Sequence, residues 1–106
     1  MTPILDLTPT QQALLMQLMQ QFIPGIRVWA FGSRVKGNAR PSSDLDLVVF
    51  SKPSQRSQVF ALQEALEESN LPFNVDLLIW DEIPDNFKTT IQNGFIELGV
   101  NAARKR

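Results

Sequence analysis

The chain has 106 residues, a formal net charge of −1, 43% hydrophobic and 20% charged residues, which is the profile of an ordinary globular protein rather than a disordered or membrane chain. This length predicts a single domain over residues 1–106, burying about 60–65% of its unfolded surface and too small to carry a separate substrate domain. The absence of Cys and His excludes disulfides, zinc–thiolate sites, thiol nucleophiles and imidazole bases, so chemistry must rest on carboxylates, hydroxyls and metal.

No apolar run approaches the roughly 20 residues of a membrane span, and the N-terminus lacks a signal-peptide pattern; a cytoplasmic location is expected. The near-neutral charge gives no bulk case for nucleic acid as a ligand, and Arg104-Lys105-Arg106 reads as a solvated basic tip. In chain order, Thr8-Pro9-Thr10-Gln11 opens a helix, with threonine as N-cap, proline at the first position and glutamine placed for a capping box. Leu14, Leu15, Leu18, Met19 and Phe22 recur at helical spacing, and Pro24-Gly25 stops the run. Arg27 to Phe31 reads as a strand, with Trp29 as packing.

Ser33 to Lys36 gives about one helical turn before Gly37, suited to a left-handed C-cap. Asn38 to Ser43 is a loop, because Pro41 disfavours helix at Arg40. Asp44 to Phe50 is the second strand, Arg56 to Glu68 an amphipathic helix, Phe73 to Trp80 a third strand and Asp85 to Gln92 a short helix. Phe95 to Val100 fits an edge strand or further helix equally well. This order predicts an α/β or α+β fold, one sheet with helices packed on it.

Three acidic residues break this apolar pattern. Asp44 and Asp46 stand two apart and so share a face of their strand, and Asp76 lies alone between Val75 and Leu77. If the strands are neighbours, like charges at ~4 Å repel by roughly 4 kcal/mol at intermediate dielectric, a cost that a divalent metal would offset. Mg²⁺ takes hard oxygen ligands from one or two carboxylates plus substrate phosphates, and two such ions can stabilise both the attacking and the leaving oxygen of an in-line displacement. The Gly32-Ser33 turn supplies a phosphate partner, since backbone N–H groups entering a helix bind anions. On these grounds Asp44 and Asp46 would hold the metal bridging a triphosphate, and Asp76 would help a second metal and ease deprotonation of the attacking hydroxyl. Gly32 would admit the phosphates, Ser33 would donate its hydroxyl and amide, and Arg34, less so Lys36, would add charge. Ser43, at the head of the acidic strand, completes the nucleotide-binding candidates. Separately, Gly-Ser is an ordinary turn and Asp-x-Asp a common solvated strand end; order and spacing raise the combination.

Gly32-Ser33-Arg34-Val35-Lys36-Gly37 through Arg40-Pro41-Ser42-Ser43-Asp44-Leu45-Asp46-Leu47 resembles the signature of the polymerase-β-type nucleotidyltransferase superfamily in its minimal nucleotidyltransferase (MNT) branch. Val35 stands where that branch often has alanine. The resemblance implies a small mixed sheet flanked by helices, Mg²⁺ and ATP as donor. It matches Gly32 and Ser33 to the phosphate-contacting pair, Asp44 and Asp46 to the metal-binding carboxylates and Asp76 to the third acidic residue. It further implies a partner, a small helical HEPN-domain toxin that such a protein silences as an antitoxin by transferring AMP to a tyrosine. Two other readings remain open: a non-catalytic module that neutralises its partner by binding, and transfer to a small molecule such as an aminoglycoside or to an RNA end.

Overall fold

The computed structural model describes residues 5–98. Helix α1 spans Pro9–Phe22, strand β1 Val28–Phe31, the one-turn helix α2 Ser33–Lys36 and β2 Leu45–Val49. Helix α3 covers Arg56–Glu67, β3 Val75–Ile79, α4 Asp85–Gln92 and β4 Phe95–Glu97, with short 3₁₀ turns at Pro53–Gln55 and Trp80–Glu82. α1 begins as its residues dictate. Thr8 Oγ1 accepts from the Gln11 amide at 3.1 Å and Gln11 Oε1 from the Thr8 amide at 3.0 Å, so two amides that the helix itself cannot satisfy are paired. Gly37 closes α2 at φ +85°, the left-handed conformation that side chains disfavour.

The sheet order is β3-β2-β1-β4. β1 pairs antiparallel with both β2 and β4, whereas β2 and β3 run parallel. A parallel neighbour needs a crossover, and α3 is that connection. Two-residue alternation then sorts the side chains. Val28, Ala30, Leu45, Leu47, Val49 and Val75 pack with Leu15 and Met19 of α1 and Leu62 and Leu66 of α3, forming the main core. Phe31 and Val48 face the other way and pack with Ile91 of α4, bordered by Trp29, Leu78 and Phe95. Trp29 is packing, as expected, stacked on Phe95 with ring centroids 3.8 Å apart. That contact joins β4 to β1 and resolves the ambiguous segment as an edge strand at Phe95–Glu97. The rest of that segment, Gly99 and Val100, and the basic tip at 104–106 lie outside the described residues. Several elements are shorter than expected: β1 begins at Val28 rather than Arg27, Asp44 and Phe50 flank β2, α3 ends at Glu67, and β3 runs Val75–Ile79 rather than Phe73 to Trp80.

Among the described residues no helix is long and apolar enough to cross a membrane. Removing the cap with Thr8→Ala is expected to cost about 1 kcal/mol, read as a lower urea midpoint with an unchanged m-value.

Candidate functional site

The parallel register places Asp46 opposite Asp76 as Cα partners, one step before Leu47 meets Leu77. Both therefore point to the face that carries Val48, Leu78 and α4, while Leu45, Leu47 and Val75 point into the main core. Asp44 is exposed at the end of the preceding loop, one residue outside the ladder. Its charge still reaches the pair. The Asp46 carboxyl is held above its usual 3.8, first by burial, then by the Asp76 charge, then by that of Asp44. Asp46 and Asp76 thus share one side of the sheet, and Asp44 is near enough for its charge to act on Asp46.

Gly32 lies directly against this group. It has φ +87°, which favours glycine, and a Cβ there would fall 2.5 Å from Asp46 Oδ2 and displace that carboxyl. From Gly32 the chain enters α2, whose later amides at Val35 and Lys36 bond back to the Gly32 carbonyl at 3.0 and 3.1 Å. The first amides of a helix have no such intrahelical acceptor, so those at Ser33 and Arg34 stand where an anion could take them. A cleft of about 550 Å³ opens between this turn, the acidic pair and α4, lined by Phe31, Gly32, Lys36, Asp46, Asp76 and Phe87 among others. That volume lies within the range of small-molecule sites. Gln63, Glu67 and Thr90 also line it; nothing in their sequence context, polar positions on amphipathic helices, distinguishes them from surface residues.

Arg34 departs from the expectation that it adds charge at the phosphate end. It is only 5% exposed. Its Nε donates to the Ser43 carbonyl at 3.0 Å, Nη1 to that of Asp6 at 2.8 Å, and Nη2 to those of Pro41 and Arg40 at 3.0 and 3.3 Å. Its guanidinium lies 4.0 Å from the Phe73 ring centroid, a cation–π contact. These bonds fix the loop that delivers Asp44 and tie it to the segment before α1. Ser43 also serves the loop, its Oγ accepting from the Arg40 amide at 2.8 Å. Lys36 is the cation that lines the cleft.

The carboxylate oxygens are the donor set of a hard cation. Among the described residues no group of three or more His, Cys, Asp or Glu side chains is arranged to hold a metal by itself. A hard cation at Asp46 and Asp76 would take its remaining ligands from substrate phosphates and water, as Mg²⁺ does.

An acidic pair across parallel strands, a glycine turn packed on it and a nucleotide-sized cleft are the features that phosphoryl or nucleotidyl transfer would use. The chain belongs to the polymerase-β nucleotidyltransferase family: residues 15–98 match the family described as "Polymerase beta, Nucleotidyltransferase". It is 41% identical over 93 residues to the probable protein adenylyltransferase MntA of Haemophilus influenzae, an alignment covering 87% of this chain and 82% of that relative. Two solved structures share the fold. One, from Shewanella oneidensis, has a TM-score of 0.55 at 14% identity, covering 87% of this chain and 71% of that one. The other is a chain from the complex of tri-AMPylated Shewanella oneidensis HEPN toxin with MNT antitoxin, with a TM-score of 0.51 at 15% identity, covering 86% and 71%.

Two outcomes are expected. An acid whose pKa is raised by folding binds more protons in the folded state, so its ionisation costs stability as pH rises from 3.8 through the raised value. Metal-free Asp46→Asn should thus melt at or above the wild-type temperature at neutral pH, the difference disappearing below about pH 4, as followed by circular dichroism. Arg34→Lys, which keeps the charge but cannot span four carbonyls, should cost at least about 2 kcal/mol in urea unfolding.

Proposed function

We propose that this chain is a metal-dependent protein adenylyltransferase that transfers AMP from ATP to a hydroxyl, a tyrosine, of a small helical HEPN-domain toxin in the cytoplasm and so acts as an antitoxin. The observation that carries this reading is the side-by-side setting of Asp46 and Asp76 against the Gly32 turn. The relative named a probable protein adenylyltransferase, together with the fold shared with the toxin–antitoxin complex, supports the choice of acceptor.

In the reaction the acceptor oxygen forms a bond to the α-phosphorus of ATP, the bond from that phosphorus to the bridging oxygen toward the β-phosphate breaks, and pyrophosphate leaves with the electron pair. Asp44 and Asp46 would hold a divalent cation and Asp76 would share a second; when bound, these ions neutralise charge on the attacking and leaving oxygens. The chain's own groups do the rest. Gly32 admits the triphosphate without a side chain in the way, and the Ser33 amide and hydroxyl with the Arg34 amide donate to its oxygens. Ser43 and the Arg34 guanidinium serve by shaping the loop before Asp44. Lys36 supplies the positive charge on the cleft lining. The Asp76 carboxylate, exposed on the cleft lining, would draw the proton from the acceptor hydroxyl. With no imidazole in the chain, carboxylates are the bases within reach.

Incubation of the chain with ATP, Mg²⁺ and the HEPN-domain protein should add one or more AMP masses to the latter, read by intact-mass spectrometry. Asp46→Asn should abolish the gain. A partner that gains no mass, yet is neutralised equally well by wild type and by the Asp44→Asn, Asp46→Asn double variant, would instead identify a module that acts by binding.

A further inference from the structure

Among the described residues β3 is an edge strand, paired with β2 on one side and with no strand on the other. It nonetheless carries Asp76, whose charge faces that of Asp46 across the ladder. Mutual repulsion there pushes an edge strand outward, and a strand held from one side resists poorly. Among the described residues one side chain hydrogen-bonds its outer side. Gln63 Nε2 donates to the Val75 carbonyl at 3.0 Å, and Gln63 Oε1 accepts from the Leu77 amide at 3.3 Å. In a strand the groups of residues 75 and 77 that face outward are those a further strand would bond. A single carboxamide, having both donor and acceptor, therefore substitutes for one rung of a missing neighbour, and it does so on the two peptides flanking Asp76.

Three features make this a positioning device rather than an incidental contact. Gln63 sits on α3 between Leu62 and Leu66, both buried in the main core, so the amide is mounted on a rigid support. Its orientation is fixed, because Nε2 also donates to Glu67 Oε2 at 3.2 Å; reversing the amide would set its oxygen against a carbonyl and a carboxylate. And Gln63 lines the same cleft as Asp46 and Asp76. We infer that Gln63 is a positioning residue that clamps the β3 edge and thereby holds the Asp76 carboxylate beside Asp46. The catalytic consequence rests on the adenylyltransferase reading; the clamp itself does not.

The test compares Gln63→Leu, which removes donor and acceptor, and Gln63→Glu, which keeps size and an acceptor for Leu77 but not the donor for Val75, with a control. Gln58→Leu on the same helix deletes a comparable bond, made at 3.3 Å to the carbonyl of Phe22 at the end of α1 and not to β3. Hydrogen exchange at the Leu77 amide should quicken about tenfold or more in Gln63→Leu, with β1 amides unchanged. AMP transfer should lose kcat by about tenfold or more, the usual cost of losing a partner behind a metal-binding group, while KM for ATP stays within about twofold. Gln63→Glu should also lose kcat, and it carries the test if Gln63→Leu does not fold; Gln58→Leu should match wild type. Unaltered Leu77 protection, or a kcat within about twofold of wild type in both Gln63 variants, would overturn the clamp. Should wild type itself transfer no AMP, the proposed function falls, and Leu77 exchange still decides the clamp.

Discussion

Two like charges are held side by side by a backbone ladder. Asp46 and Asp76 are partners in the parallel pairing of β2 with β3, and that juxtaposition is unfavourable unless a cation joins it. The strands do not choose it for stability: Leu45, Leu47, Val49 and Val75 supply the core that fixes the register, and two-residue alternation then delivers the carboxylates to the opposite face. The hydrophobic core thus dictates an electrostatic arrangement that it does not itself benefit from. Rule-breaking residues of this kind mark functional sites.

The neighbouring elements are built around that pair. Gly32, in a φ +87° conformation that side chains disfavour, lies against the Asp46 carboxyl, which brings the first amides of α2 to the acidic face. Arg34, the second residue of α2, uses its guanidinium inward on three loop carbonyls and that of Asp6. The result is a short stretch in which backbone faces the cleft and the Arg34 side chain faces the scaffold. Gln63 acts similarly from the other flank, through α3.

Much of this was readable from the residues. Thr8-Pro9-Thr10-Gln11 announced its cap, Gly37 its left-handed turn, and Asp85 to Gln92 its helix, because each depends on local chemistry alone. The three aspartates were conspicuous because charge in an apolar strand has few uses. What escaped reading depends on distant partners. Arg34 beside a phosphate turn looks like a phosphate ligand; only the folded loop shows four carbonyls converging on it. Phe95 to Glu97 becomes a strand because Phe95 stacks on Trp29 across the sheet, a contact without a local signal. Gln63 on an amphipathic helix is indistinguishable from a solvated glutamine until β3 turns out to be an edge.

The central claim is that the acidic face formed by Asp46 and Asp76 binds a cation carrying a triphosphate seated on the Gly32-Ser33 turn. A crystal structure with Mg²⁺ and a non-hydrolysable ATP analogue tests it most directly. The account predicts a cation coordinated by Asp46, with Asp76 on the same side, and phosphate oxygens against the Ser33 amide. Nucleotide bound away from the turn, or an Asp76 carboxylate directed to the other face of the sheet, would contradict it.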